Sequence, residues 1–352
     1  MNNTEFKNRV YGCVVLKAIN ANYNADFSGL PRRLKSDGSF YATDKSFKWL
    51  VRNYIKKNYS DEKVFFTKHF DDNLNPITLT KAFSKLEQKE NTLFTLLECI
   101  DVRLFGATLA ESGNNLSLHG VVQINHATDL YKDGKIYTDE ILSPFATKDG
   151  DKNNTIGNMS KVTEAHYIHN FSVNPKNLSS WQKLKKEFEN VLEELEKIQI
   201  PKKETDKKKI EREEKIKTVK TEIEKIKQVY LFNNDMVILK NAFNNSATFY
   251  DSHSKAGVEN ELSIYVTLNE SSILTLPSFS QFITFKKGEK GENNSFDITK
   301  LINYLAKYDN DIKMIELFYI EELLEVKNSS DKLKDKITKH DLLEVVKNET
   351  IS

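Results

Sequence analysis

The chain has 352 residues, 39% of them hydrophobic, with 52 Lys and Arg against 51 Asp and Glu and a formal net charge of +1. That composition supports a substantial core in one large domain or two smaller ones, and no apolar run approaches the roughly 18 residues of a membrane span, which excludes a helical membrane protein. The opening MNNTEFKNRVYG lacks the apolar segment and small-residue cleavage site of a secretory signal, so the chain reads as cytoplasmic, with Cys13 and Cys99 as reduced core thiols.

In chain order, residues 10–19 are rich in branched apolar side chains and are expected to form a buried strand. A polar loop, NANYNADFSGLPRRLKSDGSF, leads from it into TDKSFKWLVRNY. There Phe47, Leu50, Val51 and Tyr54 recur at helical spacing, and Thr43 or Asp44 is expected to cap the first turn. Lys48 and Arg52 fall on one face. Residues 31–57 carry eight basic side chains against Asp37 and Asp44, a local charge of +6 in a near-neutral chain. A polyanion responds to the local field, so this segment is a candidate phosphate clamp; a solvated amphipathic helix is the alternative.

Residues 91–100 read as an apolar helix feeding a glycine-punctuated turn at Arg103 and Gly106, and residues 116–127 as a strand. From 130 to 159 the pattern breaks for longer than an ordinary connection. Order returns at EAHYIHNFSVNP, whose alternation places Tyr167, His169 and Phe171 on one face and His166 on the other. Those aromatics suit either a base-stacking platform or a core stripe, and the opposed histidines argue against joint metal ligation. A lysine- and glutamate-rich helical hairpin is expected over 178–229, then a helix over 234–244, a small basic loop at Lys255, and an alternating strand through Leu262, Ile264, Val266 and Leu268. FDITKLINYLAKY and IKMIELFYIEELLEV read as a helix and a strand. The order strand, helix, strand, strand, helix, strand is that of a split βαβ, an α+β fold of ferredoxin-like or RNA-recognition type. No established catalytic, nucleotide-binding or metal motif is present, and no cofactor is expected.

Six segments in one order, NADFSGLPRR, TDKSFKWLVRNY, DVRLFGATLA, LHGVVQINHA, TIGNMSKVTEAHYIHNFSVNP and SHSKAGVENEL, closely resemble the backbone subunit of type I CRISPR-Cas Cascade complexes. This is the Cas-seven group of the RAMP superfamily, here in a form similar to subtype I-B. The resemblance spans about residues 9–270, apart from the helical hairpin. It implies one RAMP-type unit over 1–352: a palm with an antiparallel sheet and helical finger insertions (9–129, 160–177 and 230–326), a β-hairpin thumb (130–159), the helical hairpin (178–229) and a C-terminal tail (327–352).

The function implied is non-catalytic. Copies of the subunit polymerise along the spacer of a CRISPR RNA, which then pairs with target DNA. The implied partners are other copies of the chain, the cap, large and small subunits, a guide-processing endoribonuclease and a recruited helicase-nuclease. Carried over, the RNA contacts are Arg32, Arg33, Thr43, Lys45, Lys48, Arg52, Arg103, His126 and Lys255, with Phe145, Ile156 and Met159 as thumb wedges. Two alternatives stay open: a metal-dependent target-RNA ribonuclease using Asp26, as in type III backbone subunits, and a monomeric single-strand RNA-binding protein.

Overall fold

The twelve-residue run VYGCVVLKAINA forms the central strand β1 (Val10–Ala21) in a computed structural model that describes residues 4–86, 92–111, 114–146, 154–178, 182–197, 206–227 and 229–347. After it come β2 (Tyr41–Ala42), α1 (Asp44–Asn58), α2 (Leu79–Ser84), α3 (Thr92–Leu97), α4 (Ile100–Phe105), β3 (Gly106–Glu111), β4 (Asn114–His119), β5 (Val122–Ile124) and β6 (Ala127–Asp129). The long strands β7 (Ile136–Ala146) and β8 (Asn154–Val173) follow, then α5 (Gln182–Lys197), α6 (Asp206–Lys227), α7 (Asn233–Asn245) and β9 (Val258–Leu268). β10 (Thr284–Lys286), β11 (Asn294–Asp297), α8 (Thr299–Leu305), β12 (Ile312–Phe318), β13 (Leu324–Lys327) and β14 (Ile337–His340) complete the order.

The chain divides into two compact units, one of residues 8–62, 122–173 and 237–352, the other of residues 1–7, 63–121 and 174–236. The first is built on a nine-stranded sheet ordered β14-β12-β9-β1-β8-β6-β2, with β5 and β7 also paired to β8. β1 lies antiparallel to both β8 and β9, and β12 antiparallel to β9. One face carries α1 and α7: Phe47 stacks on His169 at 4.8 Å, and Phe243 meets Phe47 at 5.1 Å and Phe171 at 5.0 Å. Gly12 makes that packing possible, because a Cβ there would lie 2.4 Å from the Phe171 ring. On the other face Cys13, Val15, Ile168 and Ile264 pack against Leu276, Phe279, Phe296, Leu301 and Leu305.

Both faces are therefore covered, which decides for Tyr167 and Phe171 in favour of the core stripe over the base-stacking platform. Each is buried in the core, as their apolar area favours. The histidines of β8 do face opposite ways, His169 toward Phe47 and His166 toward Phe285 at 4.0 Å.

Beyond the sheet, β7 pairs with β8 over Ile136↔Val162 to Ala146↔Asn154, whereas β1 reaches β8 only from Val162 onward. Residues 136–146 and 154–162 thus pair as two strands, where the residue pattern by itself shows only an overlong connection. Of the residues expected to be a C-terminal tail, the described ones up to 347 take part in the fold. β14 pairs in parallel with β12, and Val346 N–H donates to Asn241 Oδ1 at 2.8 Å.

The second unit holds α2 to α6, β3 and β4. Two expected elements are broken here. The apolar helix over 91–100 becomes α3 and α4, because Cys99 is extended and Ile100 N–H donates to Lys63 O at 3.0 Å. The strand expected over 116–127 is split into β4, β5 and β6, first by a corner at Gly120, where a Cβ would sit 2.3 Å from Gly106 N, and again at Asn125 and His126. Gly106 itself has φ +79°, open to glycine but strained for other residues. The helical hairpin is present as α5 and α6, joined across by Lys220 and Glu196 at 2.9 Å. IKMIELFYIEELLEV, expected as one strand, turns at Leu323, whose N–H donates to Ile320 O, and yields β12 and β13.

Candidate nucleic-acid interface

The end of β1 and the start of α1 are tied together by two residues, Tyr23 and Asn24. Tyr23 is buried, and its hydroxyl donates to His169 Nε2 at 2.9 Å, while His169 Nδ1–H donates to Asn125 O at 3.1 Å. Burial holds the His169 pKa down at about 4, so the ring is neutral and this tautomer is fixed by its partners. Asn24 Oδ1 accepts from both the backbone N–H and the hydroxyl of Thr43, at 2.9 and 3.1 Å.

Around this node the structure gathers most of the residues expected from sequence. Lys255 Nζ donates to Tyr23 O at 2.7 Å, and burial lowers its pKa. Arg32 N–H donates to Asn24 O, and its Nε to Ala25 O at 3.1 Å. Arg33 is exposed, with its guanidinium 4.7 Å from the Phe40 ring. Thr43 caps α1 as expected, accepting from Ser46 N–H at 3.3 Å. His126 is 59% exposed, stacks on Tyr41, and accepts from Asp44 N–H at 3.4 Å.

The helix then sorts its side chains. Phe47, Leu50, Val51 and Ile55 are buried, while Lys45, Lys48, Arg52 and Lys56 follow one another at helical spacing along the outer side. Lys48 is paired with Asp44 at 3.1 Å, four residues apart. An incoming phosphate would compete with that carboxylate, an exchange that a partly exposed pair permits.

Arg103 is a correction. Its side chain is 11% exposed, in the second unit, and bidentate to Asp235 at 2.7 and 3.1 Å. Nη1 also donates to the Leu97 and Glu98 carbonyls. Those donors hold the interior together and are not offered to a ligand. The sequence could not reveal this, since Asp235 lies 132 positions away.

Asp26 is likewise engaged: its Oδ1 accepts from Ser28 N–H at 2.8 Å and Leu30 N–H at 2.9 Å, fixing a turn. Among the described residues no cluster of three or more His, Cys, Asp or Glu could hold a metal ion, and no helix is long and apolar enough to cross a membrane. On the β7–β8 hairpin Met159 is half-buried opposite Asp139, while the side chains of Phe145 and Ile156 lie outside the described residues. Sequence reading passed over Leu142 on the same hairpin, which is 66% exposed, and over Phe27 at the loop tip, which is fully exposed. Leu142 lies in the 130–159 stretch where the sequence pattern breaks, so no local periodicity marked it as an exposed strand residue.

Comparison with known proteins bears on the whole chain. No curated protein matches it. A chain of a solved structure described as "CRISPR RNA-guided surveillance complex, pre-nicking" is similar with a TM-score of 0.51 at 13% identity, covering 97% of this chain and 98% of that one. A second, described as "CRISPR RNA-guided surveillance complex", aligns with a TM-score of 0.43 at 13% identity over 96% of each chain. The first likeness is one of fold. A model of the family described as CRISPR-associated protein Cas7 matches residues 8–342, and the chain therefore belongs to the Cas7 family.

Proposed function

We propose that this chain is the CRISPR RNA-binding backbone subunit of a type I surveillance complex, of a kind resembling subtype I-B. The observation that carries the reading is the gathering of Arg32, Arg33, Thr43, Lys45, Lys48, Arg52, His126 and Lys255 around the β1–α1 junction of a Cas7-family chain. Basic side chains and helix-terminal amides grip phosphates without reading sequence, as a subunit that must accept any spacer requires. Bases left exposed between subunits would read target DNA by pairing.

The antiparallel order β9-β1-β8-β6, with α1 and α7 on one face, supports a ferredoxin-like or RNA-recognition palm. Helical elements of residues 63–121 and 174–236 serve as fingers. The β7–β8 hairpin is the thumb, with Phe145, Ile156, Met159 and the exposed Leu142 as wedge residues. Copies would repeat head to tail along the guide through two different faces of each subunit, a heterologous contact that does not close. Cap, large and small subunits and the guide-processing endoribonuclease complete the assembly in the cytoplasm, and a recruited helicase-nuclease cuts the target. The subunit itself is non-catalytic: the Asp26 carboxylate is occupied in its turn, which disfavours the ribonuclease alternative.

The test is the mass of complexes assembled with the other subunits on CRISPR RNAs of two spacer lengths. The mass is expected to grow by whole copies of this 40.7 kDa chain as the spacer lengthens. One copy regardless of length would replace the filament by the monomeric RNA-binding alternative.

A further inference from the structure

The loop that joins β1 to the clamp ends in a tip, residues 26–30, whose backbone is tightly held. Asp26 N–H donates to Leu30 O at 2.7 Å, and Asp26 Oδ1 takes the Ser28 and Leu30 amides. Gly29 N–H donates to Asp26 O, and Asn22 Nδ2 donates to Gly29 O at 3.1 Å. Gly29 adopts φ +81°, which closes the turn. Such bonding suits a rigid presentation and does not describe a loosely hanging loop.

What this turn presents is Phe27, a large apolar ring that is fully exposed among the described residues. Single exposed apolar residues are common on protein surfaces, so exposure alone carries little. Two further observations distinguish this one. The Arg32 guanidinium stands 6.0 Å from the Phe27 ring, its Nε bonded to Ala25 O at 3.1 Å. Asp26, the one carboxylate within residues 26–30, has its Oδ1 bonded to the Ser28 and Leu30 amides, while Arg32 and the exposed Arg33 follow directly after the turn. A fixed aromatic face beside an arginine matches a nucleobase together with its phosphate: the ring stacks and the guanidinium pairs.

We propose that Phe27 is a base-stacking residue of the RNA interface, holding one unpaired base per subunit while Arg32 engages the adjoining phosphate. This rests on the RNA-binding reading given above. Stacking on a π-face is tolerant of base identity, so the residue adds affinity and fixes the position of a base without adding sequence preference.

The experiment uses complexes assembled on guide RNAs carrying a single 5-iodouridine at successive spacer positions, irradiated and digested. Crosslinks to the Phe27 peptide are expected at positions that recur once per subunit. Phe27→Ala should abolish them and weaken guide binding by about tenfold, with an unchanged salt slope because no phosphate contact is lost. Phe27→Tyr should keep both crosslinking and affinity. Crosslinks absent from Phe27 at every position in a complex that retains its guide would overturn the stacking role. So would a Phe27→Ala complex that loses copies of the chain with its crosslink map otherwise intact, since Phe27 would then be a protein contact. A wild-type chain that fails to retain guide RNA at all would remove the RNA-binding reading itself and this inference with it.

Discussion

At the scale of single residues, His166 shows how far tertiary context departs from a side chain's ordinary behaviour. Its Nδ1–H donates to Glu261 at 2.6 Å and its Nε2–H to Glu164 at 3.1 Å, and Lys287 pairs with Glu164 on the outer side. Glu261 reaches this face because β9 bulges where Val15 pairs with Leu262 and Leu16 with Asn260. Burial alone would lower the His166 pKa, but hydrogen bonds to the two carboxylates and their charges outweigh it and raise it to about 9. A folded pKa above the ordinary 6.5 means that the stabilisation is fully present below pH 6.5 and is lost as pH rises through about 9. The stability gap between wild type and His166→Gln, read from urea midpoints between pH 6 and 10, is therefore expected to narrow with rising pH; a constant gap would show that His166 is neutral throughout. Neither histidine of β8 could be assigned a charge from sequence, because His166 meets Glu261 from 95 positions away and His169 meets Tyr23 from 146.

At the scale of elements, α1 was legible almost entirely. Its cap at Thr43, its buried stripe and its basic side all follow from a 3.6-residue period and local hydrogen bonding. The functional consequence belongs to the helix as a whole. Replacing Lys48 and Arg52 with alanine should weaken binding to unrelated single-stranded RNAs alike, and each lost phosphate contact should flatten the dependence of log affinity on log salt by roughly 0.7. Titrations at several salt concentrations test this, and an unchanged slope would refute the clamp. Elements defined by distant backbone were less legible. The corner at Gly120 exists because it crosses Gly106, and the break between α3 and α4 because Cys99 meets Lys63. Arg103 resembled a free cation for the same reason, its partner Asp235 being invisible to a local reading.

At the scale of the whole molecule, long-range pairs lock α7 onto the sheet. Lys240 and Glu316, 76 positions apart and both almost fully buried, hold each other at 2.6 Å within reach of the Tyr265 ring. Lys240→Met would leave a buried carboxylate unpaired and is expected to cost about 3–5 kcal/mol, while the double variant Lys240→Met with Glu316→Leu should recover most of it. Chemical denaturation of the three proteins measures this directly; a double variant as unstable as the single would assign the loss to packing instead. Sequence alone determined the strand at 10–19, the capped basic helix, the alternation in β8, the helical hairpin and the family resemblance, since each is written in local periodicity, capping or contiguous motif. Only the tertiary structure decided that both faces of the sheet are covered, that Arg103 is spent inside, that residues 337–340 join the sheet as β14, and that Phe27 is exposed. Those outcomes depend on which distant backbones and charges meet, and burial and ion pairing are properties of that meeting, not of any local stretch of chain.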